Sequence, residues 1–194
     1  HTFVPGSEWL YLKLYGSPRS VDRTLTTVLA DRIRSWIRDG DVKRWFFLRY
    51  ADPDHHLRLR LQGESRVLLR RVLPELTSAL QELVDASILR SFVIDTYKRE
   101  VGRYGGPSGI ELAEDIFWAD SEAAVAILRQ LDGDEGHEAR WKLCFRGQDQ
   151  ILDDFGYPRE ERRDLMASLR DSFRAEFGAR LPLTKAVGNR YRVE

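Results

Sequence analysis

The chain has 194 residues, with 31 Lys plus Arg against 31 Asp plus Glu, so its formal net charge is zero. That balance argues against a general nucleic-acid binder, which carries a basic excess, and no apolar run approaches the roughly 20 residues that cross a bilayer as a helix. A hydrophobic fraction of 42% and an aromatic fraction of 11% suffice for a packed core, and the lone Cys144 cannot close an intrachain disulfide, so a reducing, cytoplasmic setting is expected.

Trp9–Tyr15 (WLYLKLY) alternates in character and stops at Gly16, which predicts a first strand. Residues 18–39 carry Val21, Leu25, Val28, Leu29, Ile33, Trp36 and Ile37 at helical spacing; Ser17 suits the N-cap, Pro18 the first helical position and Gly40 the stop. Arg44–Tyr50 and His56–Gln62 read as strands two and three, joined by the turn residues of 51–54. A second helix follows over 65–85, where Pro74 should bend or interrupt it. Residues 90–98 form the fourth strand. The order β-α-β-β-α-β is that of a ferredoxin-like α+β fold, an antiparallel sheet with both helices on one face. Beyond Gly105-Gly106 the pattern turns helical over 107–131, 136–155 and 157–177, with another helix expected to begin within 185–194, and this half is expected to cover one edge or face of the sheet. The expected organisation is one domain over 1–194, with a sheet portion at 1–106 and a mainly helical portion at 107–194. Since the first residue is His1, the natural start is expected upstream.

Strand three carries the sharpest signal. Leu57, Leu59 and Leu61 alternate with His56, Arg58 and Arg60. The leucines call for a core, which leaves the arginines on the opposite, open face, with Arg49 available from strand two. Guanidinium forks hold carboxylate or phosphate in bidentate fashion, so this face is a candidate anion site. A second constellation, DTYKREVGRYGG over 95–106, gathers Tyr97, Lys98, Arg99, Glu100, Arg103 and Tyr104 at the end of strand four. Glu100 and Arg103 meet if the segment makes one helical turn, and Gly105-Gly106 permits positive φ or close approach to a ligand. Plainer readings stand beside these. The arginine row also fits a solvated sheet face, Glu100 with Arg103 a surface ion pair, and Tyr97 and Tyr104 packing residues. Glu111, Glu114 and Asp115 read as a charged helix face, and Cys144 between Leu143 and Phe145 as buried. His55-His56 lacks the spacing of a metal site, and no P-loop, GxGxxG or GxSxG occurs.

Three segments, WLYLKLYGS, FFLRYADPDHHLRLRL and DTYKREVGRYGGPSGIELAEDIFWADSEAA, resemble the C-terminal domain of class I lantibiotic dehydratases, also found as the thiopeptide-type bacteriocin biosynthesis module. The resemblance runs from about residue 9 to about residue 124, and more loosely through FGYPREERRDLM. It implies an enzyme that eliminates glutamate from glutamylated Ser or Thr of a ribosomal precursor peptide, giving dehydroalanine or dehydrobutyrine. It also implies a companion domain or protein that installs the ester from glutamyl-tRNA, with no cofactor, no metal and no direct nucleic-acid contact in the eliminating part. Arg58, Arg60 and Arg103 match positions that serve elimination in that family, and Glu100 lies beside them; these four are the expected catalytic residues. Arg49, His56, Tyr97 and Arg99 are the expected substrate-binding residues. Relatives carry a histidine near their C-terminus, whereas no histidine follows His137 here, so a truncated C-terminus is expected and the general base is left open. The competing readings are a thiopeptide-type [4+2] cycloaddition enzyme, whose relatives depart from the arginine motifs, and a non-catalytic module that binds a precursor peptide.

Overall fold

The computed structural model describes residues 2–131 and 133–177. Its strands are β1 (Thr2–Phe3), β2 (Trp9–Tyr15), β3 (Arg44–Tyr50), β4 (His56–Gln62), β5 (Ser91–Asp95) and β6 (Tyr97–Lys98). Its helices are α1 (Pro18–Thr24), α2 (Ala30–Asp39), α3 (Ser65–Val67), α4 (Leu73–Asp85), α5 (Pro107–Gln130), α6 (Gly133–Asp154) and α7 (Arg159–Phe177). The possible helix within 185–194 lies outside the described residues.

The main sheet has the order β3-β4-β2-β5, with every neighbouring pair antiparallel. This is the order expected of a β-α-β-β-α-β chain in which each helix crosses the same face. Register sets that face: Leu12 and Phe47 flank Leu59, while Leu14 and Arg49 flank Leu57. The leucines pack on Leu25, Leu29, Ile33 and Trp36 from the first helical crossing and on Leu68, Val72, Leu76 and Leu80 from the second. Ser17 caps α1 by accepting the Ser20 N–H, and Gly40 ends α2 at a φ of 80°, a conformation that glycine adopts at least cost.

Each crossing passes through a π-helical stretch, Leu25–Leu29 between α1 and α2 and Leu68–Val72 between α3 and α4. Pro74 therefore sits in the first turn of α4, where its missing N–H costs least. The strand expected over 90–98 is broken. Asp95 accepts the Thr96 N–H at 2.7 Å, and β6 leaves the main sheet to pair with β1. The two-residue β1 carried no usable alternation in the sequence.

Helix α5 lies along the outer strand β3. The Phe47 N–H donates to Ser121 Oγ at 3.1 Å, and Trp45 Nε1 donates to Glu122 at 2.7 Å. An edge strand is thereby covered by a helix rather than left open to pairing. By internal contacts the chain divides after Gly136, so α5 groups with the sheet. In the second unit Arg162 joins α7 to α6 through Asp149 at 3.1 Å and Asp153 at 2.9 Å. Cys144, expected to be buried, is exposed, as are its neighbours Leu143 and Phe145; apolar neighbours in sequence do not by themselves bury a residue.

Leu59 is fully buried at the centre of β4. Leu59→Ala is expected to cost about 3 kcal/mol of stability, read from the urea midpoint at constant slope. A loss well under 1 kcal/mol would show that this face is not the core.

Candidate functional site

The face opposite the leucines carries four rows set by strand pairing, three of which form the site. Asp95, Tyr11, Arg60 and Phe46 form one row from β5 to β3; Val93, Lys13, Arg58 and Leu48 form the next; Ser91, Tyr15, His56 and Tyr50 form the third. This face was expected to be open, and half of it is not. Trp9, Tyr11, Phe46 and Tyr97 make a second buried cluster with Phe3, Leu48 and Phe117 packed against it. The break after Asp95 that creates β6, together with the docking of α5, brings this cover over the sheet. What remains is a cavity of about 830 Å³ lined by Arg58, Arg60, Lys13, Asp95, Glu100 and Arg103 among others, a size suited to a small ligand or one modified side chain.

Arg60 is 7% exposed. Its guanidinium lies 4.6 Å from the ring centre of Tyr11, 4.5 Å from that of Tyr97 and 5.1 Å from that of Phe46. Among the described residues no carboxylate pairs with it, and its buried Nε and Nη1 have no hydrogen-bond partner. Burial lowers its proton affinity, opposed by Tyr97 and Tyr11, but a guanidinium remains a cation throughout the physiological range. Arg58 stands two residues away on the same face, about 7 Å along the strand. Its guanidinium lies 3.4 Å over the Tyr50 ring, and its Nε donates to His56 Nε2 at 3.1 Å. Since His56 Nε2 accepts, the ring proton belongs on Nδ1, which faces the Asp54 carbonyl at 2.8 Å. Stacked near Tyr15 and Tyr50, His56 orients Arg58 and does not itself line the cavity, in contrast to the substrate-binding place expected for it.

The other three residues expected to bind substrate each meet a carboxylate of the protein. Arg49 borders the cavity, but it sits opposite Leu57, in register with the helical face of the sheet, and its Nε and Nη2 bind Asp22 Oδ1 at 3.0 and 2.6 Å. The period of two in β3 puts it across the sheet from Arg58. Arg99 and Tyr97 border the cavity, but Glu114 holds their polar groups. Arg99 binds Glu114 through Nε at 2.7 Å and Nη2 at 2.6 Å, and the Tyr97 hydroxyl donates to Glu114 at 2.8 Å. Glu114 is not on a charged helix face; it is fully buried. The missed signal was its spacing, since it falls in the same stripe of α5 as Ile110, Ser121 and Val125.

Glu100 and Arg103 are brought together as expected. The Arg103 N–H returns to the Glu100 carbonyl at 2.9 Å, and Arg103 Nη1 lies 3.0 Å from Glu100 Oε2. Both side chains are exposed at the cavity mouth, and the pairing raises the proton affinity of Arg103. Gly105 and Gly106, at φ of 77° and 95°, turn the chain into α5. On the floor, Lys13 Nζ lies 2.5 Å from Asp95 Oδ2. That bond holds the Asp95 carboxyl below its ordinary range and raises Lys13. Neither residue was singled out in the sequence, although Lys13 alternates in phase with Tyr11.

The sequence profile of the family described as "Lantibiotic biosynthesis dehydratase C-term" matches residues 9–194. The chain belongs to that family. It is 36% identical over 126 residues to the subtilin biosynthesis protein SpaB of Bacillus subtilis and 39% identical over 125 residues to the nisin biosynthesis protein NisB of Lactococcus lactis subsp. lactis. These matches cover 65% and 64% of this chain but 12% of each relative, so the chain spans a small part of their length. Among solved structures it is similar to the tRNA dependent lantibiotic dehydratase MibB from Microbispora sp. 107891, with a TM-score of 0.59 and 38% identity over 64% of this chain and 12% of that one. A second similarity, to TsrL, has a TM-score of 0.51 and 27% identity over 66% of this chain and 36% of that one. For this dehydratase C-terminal domain, the arginine strand and the Glu100–Arg103 turn are thus two walls of one cavity.

Glu114→Gln leaves Arg99 buried beside a neutral group, so it is expected to cost about 3–5 kcal/mol, whereas Tyr97→Phe is expected to cost about 1 kcal/mol, both by chemical denaturation. Burial, and then the bond to Glu114, pushes the Tyr97 phenol above the ordinary tyrosine range. A raised folded-state value gives stability that is full below the unfolded value near 10 and falls as pH rises above it. Absorbance titration should therefore show a phenol that resists ionisation above pH 10 and disappears in Tyr97→Phe; ionisation of every tyrosine in a single step near 10 would contradict the burial.

Proposed function

We propose that this domain eliminates glutamate from glutamylated Ser and Thr residues of a ribosomal precursor peptide, leaving dehydroalanine and dehydrobutyrine. The observation that carries the reading is Arg60, a buried cation that lines the cavity, has two guanidinium nitrogens without a hydrogen-bond partner and has no carboxylate beside it among the described residues. Buried charges are paired or coordinated, so such a group calls for an anion delivered from outside. Glutamate carries a side-chain carboxylate while esterified and gains a second carboxylate as it leaves.

In this reading Arg58 and Arg60 hold the glutamyl carboxylates. Glu100, at the mouth, takes the Cα proton of the modified residue; the released electron pair closes the Cα=Cβ bond, the Cβ–O bond breaks, and glutamate departs as a carboxylate onto the arginines. Arg103 stabilises the negative charge that develops on the peptide carbonyl. Tyr11, Phe46 and Tyr97 exclude water around Arg60, which strengthens its hold on the leaving group. No cofactor is required, because the ester already carries the leaving group. The ester would come from a companion glutamylation domain or protein that uses glutamyl-tRNA, and the whole process would take place in the cytoplasm.

Mass spectrometry of a glutamylated precursor peptide incubated with the chain tests this. Loss of one glutamic acid per ester is expected, and Arg60→Lys or Arg58→Lys, which keep the charge but not the fork, should slow it by about 100-fold or more. An ester left intact by the unaltered chain would overturn the reading and favour a peptide-binding or cycloaddition role; release at full rate by both variants would remove the arginines from it.

A further inference from the structure

The cavity also holds a carboxylate on its floor, which a site for anions alone would not need. Asp95 ends β5, with one carboxylate oxygen on the Thr96 N–H at 2.7 Å and the other on Lys13 Nζ at 2.5 Å. Its side chain is 38% exposed and that of Lys13 is 23% exposed. A pair this accessible to water adds little to stability, so folding alone gives a weak reason to place it there. Tyr11 pairs with Asp95 on one side and Arg60 on the other. With strands about 4.8 Å apart, the two Cα atoms are about 10 Å apart, on one face. The floor therefore presents a cation and an anion within the span of one amino acid.

An amino acid transferred from its tRNA is esterified through the α-carboxyl and keeps a free α-ammonium. The elimination reading thus brings a positive charge as well as carboxylates into a cavity that already contains Arg58, Arg60, Lys13 and Arg103. Unpaired, that ammonium would be repelled by all four. Glu100 is engaged by Arg103 at the exposed mouth, whereas Asp95 stands on the sheet in the row of Arg60. We infer that Asp95 is a specificity-determining residue that binds the α-ammonium of the glutamyl group, sharing its carboxylate between that ammonium and Lys13. The inference rests on the elimination reading. It assigns the cavity to a zwitterionic acyl group rather than to any dicarboxylate.

The test compares a glutamyl ester with a glutaryl ester of the same peptide, which lacks only the amine, using the unaltered chain and Asp95→Asn. Asparagine keeps the size and the acceptor for Thr96. The unaltered chain should release glutamate about tenfold faster than glutarate, and Asp95→Asn should bring the two rates within about twofold. Equal rates in the unaltered chain, or a preference that survives in Asp95→Asn, would overturn the assignment. If neither ester is cleaved, the elimination reading fails instead, and calorimetric titration with free glutamate and glutarate reads Asp95 on its own. About tenfold tighter glutamate, lost in Asp95→Asn, supports it; equal binding by the unaltered chain overturns it.

Discussion

A guanidinium boxed by three aromatic rings, with no carboxylate beside it among the described residues, is the constraint on which the rest of this site depends. Taking a charge out of water costs several kcal/mol even after the surroundings relax. Cation–π attraction returns about 2 kcal/mol at a desolvated ring, so Tyr11, Tyr97 and Phe46 offset much of the cost of Arg60 but satisfy none of its N–H groups. The rings fix where the cation sits and shield it from water. They leave its hydrogen-bonding capacity for something else.

That arrangement requires Tyr97 to be held from the far side. Its ring lies against Arg60 while its hydroxyl donates to Glu114, which also takes both arms of Arg99. Glu114 belongs to α5, and α5 is fastened to β3 by Ser121 and Glu122. The cover over the sheet is therefore a chain of bonded contacts running from an edge strand, through a helix, to the ring that packs on the central arginine. A buried carboxylate with three donors is stable where an unpaired one is not. This explains a fully buried glutamate in a helix whose other face is solvated. It also links fold to function: loosening Glu114 would let Tyr97 move and expose Arg60 to water.

The sheet and both crossings were legible in the sequence because alternation and helical spacing report directly on which face is buried. β2, β3 and β4 span the residues that their alternation indicates. That the helical half covers an edge or face of the sheet was legible, but the residues that make the cover were not. A break after Asp95 depends on one side chain capturing the Thr96 N–H, and β1 is too short to show a period. In the site, alternation places Arg58 and Arg60 on one face, and the same rule applied to β3 would have sent Arg49 to the other face, because the hairpin register puts it opposite Leu57. Arg99 and Glu114 are fifteen residues apart, and their pairing depends on how α5 docks, which no local pattern contains. Lys13 and Asp95 pair across strands, and their meeting follows from register once the sheet order is known.

What separates a site arginine from a structural one here is where its charge is answered. Arg49 is answered by Asp22, Arg99 by Glu114, Arg44 by Asp115 and Arg34 by Glu122. Each is an arginine with a carboxylate within reach, and each fastens two elements together. In the cavity, Lys13 is matched by Asp95 and Arg103 by Glu100. Arg58 and Arg60 are different. Their neighbours are an imidazole and aromatic rings, groups that orient a guanidinium without neutralising it. A protein that needed only a solvated face would have no reason to bury one of the two, and one that needed only stability would have put a carboxylate there. Two oriented cations without a carboxylate partner among the described residues, one of them shielded from water, are what the proposed elimination needs: an anion that arrives and leaves, as glutamate would.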